Sequence, residues 1–232
     1  MAKATYYLTP NAAGTAFMGT GYTPDGTIPK GAIPCTQEQA QNFQAYVPSN
    51  GEIVAAPDAV LLGQAQRAQK ALVTKGYNTA TDYVTVTISG TTYQVDNTAG
   101  KQALNLSLAI TANALMQTPA WAASTEYTAG AYCNVGGVIL FCSASGKSGT
   151  SAPTPPTTFG TPVTDGTAEW ELLGRKVYLQ GGSFVYMTPQ QIMSAFQQGE
   201  LYLHQMSNQL ESLIAQINAA QTSGAVAAIL WP

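Results

Sequence analysis

The sequence predicts an α+β fold in which a domain of helices and a β-hairpin is interrupted by a small all-β module and ends in a long helix. The hairpin is predicted by apolar residues alternating with threonines on either side of Ser89-Gly90. The long helix is predicted by apolar residues spaced alternately three and four apart from Leu203 to Ala220. Between residues 120 and 175, short apolar runs separated by Ser, Thr, Pro and Gly indicate the all-β module.

These patterns divide the chain into four segments. Residues 1–57 are rich in Gly, Pro and Thr, and we expect strands, turns and a short helix that begins at the capping box Thr36–Gln39 and runs to about Tyr46. Residues 58–119 form a helix, the β-hairpin and a second helix. Residues 120–175 form the inserted β-module, and residues 176–232 form a hairpin remnant followed by the long helix.

The register of the first hairpin follows from its two-residue turn. Pairing across Ser89-Gly90 places Val84 opposite Val95 and Val86 opposite Tyr93. The opposite face of both strands is occupied by threonines and a glutamine. One face of the hairpin is therefore predicted to lie in the core and the other in solvent.

The helices around this hairpin have recognisable ends. The first is predicted from Asp58 to Lys75, with Gly76 as the residue that ends it. The second is predicted from about Ala99 to Gln117. The last begins at Thr188–Gln191, which combines a capping box with a proline at the first helical position.

Charged residues are unusually scarce in this chain. They make up 9% of the 232 residues, against about 25% in an ordinary soluble domain. Nine basic and twelve acidic residues give a net charge of −3, which argues against nucleic-acid binding because counterion release needs clustered Lys and Arg. A polar but uncharged surface favours permanent burial in an assembly, where unpaired charges are costly. The single histidine, His204, excludes any metal site that needs two histidines from one chain.

The three cysteines are expected to be reduced thiols. A turn at Gly136-Gly137 places Cys133 opposite Leu140, so that Cys133 and Cys142 share a face diagonally, at about 7–8 Å. A disulfide prefers Cα atoms about 5.5–6 Å apart. We expect no metal and no cofactor. No run of about 18 apolar residues is present, so no membrane span is expected.

Two patterns that suggest catalysis are weak. Gly146-Lys147-Ser148 resembles the end of a phosphate-binding loop, but position 141 is Phe where that motif has its first glycine. Glu169 and Glu171 flank Trp170 on a predicted strand and are expected to be solvated. The sequence therefore predicts no catalytic residue and a protein that is not an enzyme.

The inserted segment carries a recognisable order of motifs. It opens with Trp121 and Tyr127, continues through Gly130-Ala131-Tyr132 and the Gly136-Gly137 turn, and closes with Asp165–Trp170. This order resembles the small chitin-type carbohydrate-binding modules and, more closely, related modules of tailed-phage tail proteins. In sugar-binding modules an exposed aromatic ring stacks on the apolar face of a pyranose.

The resemblance implies that Trp121 and Tyr127 are candidate glycan platforms. A packing role in the core of a small module, together with Tyr132 and Trp170, is the alternative.

The segments on either side of the insert carry a second resemblance. The N-terminal part is similar to the start of phage tail-fibre assembly proteins in the stretches Tyr6–Leu8, Ile28–Pro34, Thr36–Gln39 and Gly51–Ile53. The hairpin and helix over 83–117 and the closing helix through Trp231 resemble a domain of unknown function common in tailed-phage tail proteins.

These resemblances imply a non-enzymatic structural component of a bacteriophage tail, at the baseplate or the tail-fibre attachment region, assembled in the host cytoplasm and located in the virion. Its expected partners are other tail proteins and copies of itself; a trimer is suggested by the fibre resemblance alone. The β-module would contribute to host adsorption by binding a surface glycan. The predicted oligomer or partner interface is the helical seam formed by Leu203, Met206, Leu210, Leu213 and Ile217.

Two alternatives remain open. A tail-fibre assembly chaperone would bind the fibre transiently and be missing from purified particles. A free-standing carbohydrate-binding module would bind glycan without a role in the particle.

Overall fold

The predicted α+β class is confirmed. The computed structural model describes residues 5–232, of which 39% are helical and 30% are in strands. The strands form several small antiparallel sheets. Contacts divide the chain into two compact units, one formed by residues up to Val73 with Ser212–Pro232 and the other by Thr74–Glu211. Both divisions fall inside helices, and the four sequence segments stay a prediction.

The first unit begins with two small antiparallel sheets. The first sheet has the strand order β2-β1-β3 and encloses Leu8, which is fully buried. The second is a two-stranded hairpin. The elements are β1 (Thr5–Pro10), β2 (Phe17–Thr23), β3 (Ile33–Cys35), α1 (Gln37–Gln41), β4 (Tyr46–Ser49) and β5 (Glu52–Ala55).

The capping box at the start of α1 is confirmed, but the predicted length of this helix is wrong. Gln39 N donates to Thr36 Oγ1 over 3.1 Å, and Thr36 N donates to Gln39 Oε1 over 2.9 Å. The α-helix ends at Gln41 and a short 3-10 turn, Phe43–Ala45, follows. The chain leaves the helix because Tyr46 begins β4, whose ladder hydrogen bonds to β5 replace the helical ones.

Helix α2 spans Asp58–Thr81, so the predicted end at Lys75 with Gly76 as the terminating residue is wrong. Tertiary contacts support the extra turns. Tyr202 Oη donates to the Ala80 carbonyl over 2.9 Å, and Asn97 Nδ2 donates to the Thr81 carbonyl over 3.0 Å. These bonds satisfy carbonyls that the end of a helix leaves without partners.

The hairpin about Ser89-Gly90 has the predicted register. β6 (Tyr83–Ile88) and β7 (Thr91–Asp96) pair Val84 with Val95 and Val86 with Tyr93. Both turn residues have a positive φ, +51° at Ser89 and +81° at Gly90, as a type I′ turn requires. Helix α3, Ala99–Met116, follows and ends within one residue of its predicted end.

The inserted β-module consists of a four-stranded sheet, with the order β12-β13-β10-β9, and a short pair, β8 with β11. The predicted pairing of Cys133 with Leu140 is confirmed, and Val135 pairs with Val138 beside the turn. The elements are β8 (Glu126–Tyr127), β9 (Tyr132–Val135), β10 (Val138–Ala144), β11 (Gly146–Lys147), β12 (Val163–Asp165) and β13 (Ala168–Leu172).

A further hairpin and the part of the long helix up to Glu211 complete the second unit. β14 (Arg175–Tyr178) pairs with β15 (Phe184–Met187), and α4 spans Pro189–Ala219, which confirms the predicted long C-terminal helix. The capping box of α4 is also confirmed, because Gln191 N donates to Thr188 Oγ1 over 3.2 Å and Thr188 N donates to Gln191 Oε1 over 2.9 Å.

One core of the second unit is built on the apolar face of the β6–β7 hairpin. This face packs against α3, α4 and the β14–β15 hairpin. Gln198 of α4 lies at the outer edge of β6, where its side-chain amide accepts from Thr87 N over 2.8 Å and donates to Thr87 O over 3.0 Å. The buried members of the cluster are Val84, Val86, Ile88, Val95, Ala112, Val177, Met187 and Ile192.

The C-terminal segment, Ser212–Pro232, packs within the first unit. After α5 (Ser223–Ala227), Gln69 of α2 donates from its side-chain amide to the Ile229 carbonyl, and Val226 is buried. These contacts fix the apolar tail against α2. Within residues 5–232, every helix is too short or too polar to cross a lipid bilayer.

The α4 capping box leads to a stability prediction. Thr188→Ala removes the hydroxyl that accepts from Gln191 N, and we expect it to lower the free energy of unfolding by about 1 kcal/mol in urea denaturation followed by far-UV circular dichroism. The matched control is Thr111→Ala, which makes the same change at an exposed position in the middle of α3 and should not destabilise the protein. An equal loss in both variants would contradict a specific capping role.

Candidate functional site

The module core is organised around one buried carboxylate. Asp165, at the end of β12, accepts through Oδ2 from Trp121 Nε1 over 2.7 Å and from Trp170 Nε1 over 3.1 Å. Its Oδ1 accepts from Gly149 N over 2.8 Å. Trp170 is fully buried and Trp121 is half-buried. These three hydrogen bonds join the opening and closing motifs of the module.

Tyr127, the second glycan candidate, also makes contacts inside the module. Its ring meets Trp170 edge-on, with the ring centroids 4.8 Å apart, and its hydroxyl accepts from Ala122 N over 2.9 Å. Trp121 and Tyr127 both pack against the cluster of Cys133, Leu140, Cys142, Ala168 and Trp170. The structure thus brings the two candidates to one core, with their polar atoms engaged in that core. Their role as glycan platforms stays a prediction.

The two module cysteines are buried free thiols in this core. Burial, followed by the negative charges of Asp165 and Cys142, raises the pKa of Cys133 to about 12. Burial also raises the pKa of Cys142 and of Cys35. A raised thiol pKa keeps the sulfur protonated near neutral pH and suppresses its nucleophilicity. In residues 5–232 no three His, Cys, Asp or Glu side chains cluster closely enough to hold a metal ion.

The predicted α4 seam is partly buried by contacts within the chain itself. Leu203 packs against the core of the β6–β7 hairpin, and Ile217 has no exposed surface. Met206, Leu210 and Leu213 are half-buried. His204 is exposed beside Asn208, with 3.2 Å between its Nε2 and Asn208 Nδ2. Whether the seam contacts another chain stays a prediction.

A cavity of about 450 Å³ opens beside α3 in the second unit. Val84, Val86 and Val95 of the hairpin form its apolar floor. Leu106 of α3 lines it as well, and Glu200 is the one charged residue among the described residues that line it. Further lining comes from Tyr77, Asn97, Asn105, Ile192, Phe196 and Leu203, among others. The cavity is lined by apolar side chains and neutral amides, which suits an apolar side chain better than a charged substrate.

Helix α3 exposes an apolar stripe that the sequence reasoning did not identify. Leu106 is 52% exposed and Ile110 is 62% exposed, and Ala103 and Ala114 extend the stripe at helical spacing. We call these four residues the α3 stripe. The opposite side of the helix buries Ala109 and Ala112. The sequence signal for such a surface is a helix with apolar residues on two sides. Packing against one core requires only one apolar stripe, so the second stripe is left exposed.

Comparisons with protein-family models, with curated proteins and with solved structures found no match to this chain.

The carboxylate of Asp165 is expected to hold the module together. Asp165→Asn replaces one oxygen by an NH₂ group that faces N–H donors, and we expect a loss of about 2–4 kcal/mol in the free energy of unfolding, measured by tryptophan fluorescence in urea. Asp82→Asn, at an exposed position after α2, is the matched control and should have little effect. Equal unfolding midpoints for the two variants would contradict this role.

The thiol environments predict selective alkylation. Iodoacetamide at pH 8 should modify native protein at Cys35 alone, as counted by intact-mass spectrometry, because Cys133 and Cys142 are buried and protonated. In urea all three cysteines should react. Modification of Cys133 in the native protein at the rate seen in urea would contradict the packing of this core.

Proposed function

We propose that this protein is a non-enzymatic structural subunit of a bacteriophage tail, at the baseplate or the tail-fibre attachment region. Its partners are neighbouring tail proteins and copies of itself. The observation that carries this proposal is the α3 stripe, an exposed apolar surface on a helix whose one charged residue is Lys101. A contiguous apolar surface of this kind is characteristic of protein interfaces.

The α3 stripe has the spacing that a second copy of the same helix requires. Ala103 and Leu106 are three residues apart, and Ile110 and Ala114 follow at intervals of four. Such intervals let two equivalent helices interdigitate, since every apolar residue meets an apolar partner across a symmetry axis. The residues between them are uncharged, so that two copies approach without like-charge repulsion.

The phage context is supported by the motif resemblances of the insert and its flanking segments. The scarcity of charge, 9% of all residues, supports a surface that is covered for most of the life of the protein. On this proposal the β-module decorates the particle or contributes to adsorption to the host.

Mass spectrometry of purified virions tests the structural role against the chaperone alternative. A structural subunit should be found in intact particles, in a fixed ratio to other tail proteins, after salt and detergent washes. A chain that is present in the infected-cell lysate and missing from washed particles would overturn the structural proposal and favour the assembly chaperone.

Replacing the α3 stripe tests self-association directly. Leu106→Ser with Ile110→Ser should reduce the sedimentation mass of the purified chain to that of a monomer, because the polar side chains remove the apolar contact. Leu72→Ser is the matched control, since Leu72 is also exposed on a helix, at 58%, but lies outside the stripe. A monomeric parent protein, or an unchanged mass in the double variant, would contradict this interface.

A further inference from the structure

The outer face of the β14–β15 hairpin carries a concentration of aromatic rings. Val177 is buried and its cross-strand partner Val185 packs against the same core. Because side chains alternate along a strand, the residues between them lie on the opposite face. Phe184 is 48% exposed and Tyr186 is 44% exposed there. We use the name aromatic face for six residues: Lys101, Phe159, Lys176, Tyr178, Phe184 and Tyr186.

Three rings of this face are in contact with one another. Phe184 and Tyr186 meet edge-on with centroids 5.7 Å apart, and Phe159 lies 5.7 Å from Tyr186 at an interplanar angle of 41°. Phe159 is itself fixed against Gly174, where a Cβ would come within 2.5 Å of its ring. A preformed set of rings loses little conformational entropy when a ligand binds.

Two lysines lie over these rings. Lys176 Nζ is 4.4 Å from the centroid of Phe184 and 5.9 Å from that of Tyr186, and Lys101 Nζ is 3.8 Å from the centroid of Tyr178. Two of the nine basic residues of a chain with net charge −3 therefore lie over rings of one hairpin.

The β6–β7 hairpin provides a comparison, because its solvent-facing side is polar. Its outer face carries Thr85, Thr87, Thr92 and Gln94, whose side chains bond to one another or to neighbouring groups. Aromatic residues in the equivalent positions of β14 and β15 leave apolar ring surface in water. A core contribution does not explain this, since the other face of the hairpin supplies the core.

We propose that the aromatic face binds an acidic saccharide, one whose pyranose ring carries a carboxylate. The apolar side of the sugar would stack on Tyr186 and Phe184. The carboxylate would draw Lys176 and Lys101 away from the rings that they now cover, so that weak cation–π contacts are exchanged for charge-assisted hydrogen bonds. A single-stranded nucleic acid also stacks on aromatic rings, but it needs a longer row of cations than two lysines supply.

This inference relies on the proposed tail function for its biological ligand, a host surface polysaccharide. Binding itself is independent of that function. If the chain is absent from virions, the binding result still stands. If binding fails, the virion result still stands.

Affinity electrophoresis of the full chain provides the test, in native gels that contain alginate, polygalacturonate or neutral dextran. We expect at least one of the two uronate polymers to retard the protein more strongly than dextran does. Phe184→Thr with Tyr186→Thr, which keeps residues that favour a strand, should weaken that binding about tenfold or more. Lys176→Gln should weaken uronate binding about threefold and leave any dextran interaction unchanged.

Tyr22→Thr is the matched control, because Tyr22 is 53% exposed on β2 and lies outside the aromatic face. It should bind as the parent protein does, and all variants should keep the parent circular dichroism spectrum. The proposal is overturned if neither uronate retards the protein more than dextran, or if the Phe184 and Tyr186 variant binds as tightly as the Tyr22 variant. It is also overturned if a 20-residue oligothymidylate binds more tightly than either uronate through the same residues.

Discussion

The scarcity of charge determines how this protein makes its long-range contacts. Neutral amides and hydroxyls bridge distant parts of the chain within each unit. Gln66 donates to the Ile217 carbonyl over 3.0 Å, Tyr202 donates to the Ala80 carbonyl, and Gln198 forms two bonds with the backbone of Thr87. A neutral hydrogen bond contributes about 0.5–1.5 kcal/mol and is insensitive to salt. Such contacts orient elements, while apolar burial supplies most of the stabilisation.

In contrast to these neutral groups, Asp165 is an acidic side chain, and its hydrogen bonds explain how the β-module is held together. A buried carboxylate is costly unless it is fully hydrogen-bonded, and here two indoles and one backbone N–H bind it. The same bonds position Trp121, which begins the module, against Trp170, which lies near its end. A segment with few large apolar residues thereby acquires a defined core. Trp121 and Tyr127, its opening aromatic residues, pack in that core. Aromatic rings that are exposed elsewhere in the chain are therefore more accessible to a ligand than these packed rings.

Two hairpins of the second unit, β6–β7 and β14–β15, share one core but have different outer faces. Both bury a valine-rich face in a shared core. The outer face of β6–β7 is covered with threonine and glutamine, whereas that of β14–β15 carries Phe184 and Tyr186 with a lysine over the rings. The α3 stripe is a further exposed apolar surface of the same unit. The second unit therefore combines one shared core with exposed surfaces of unequal chemistry.

Local patterns were sufficient for the elements whose signals are local. The registers about Ser89-Gly90 and Gly136-Gly137, the capping boxes at Thr36 and Thr188, and the span of α3 all depend on residues a few positions apart, so the sequence by itself determined them. The end of α2 was mispredicted because Tyr202 and Asn97, distant in sequence, support its last turns. The alternating pattern predicted the buried face of the β6–β7 hairpin, but the exposure of other apolar residues was decided by the tertiary structure. Whether Trp121, Ile110 or Phe184 faces core or solvent depends on which elements pack against it, and no local pattern contains that information.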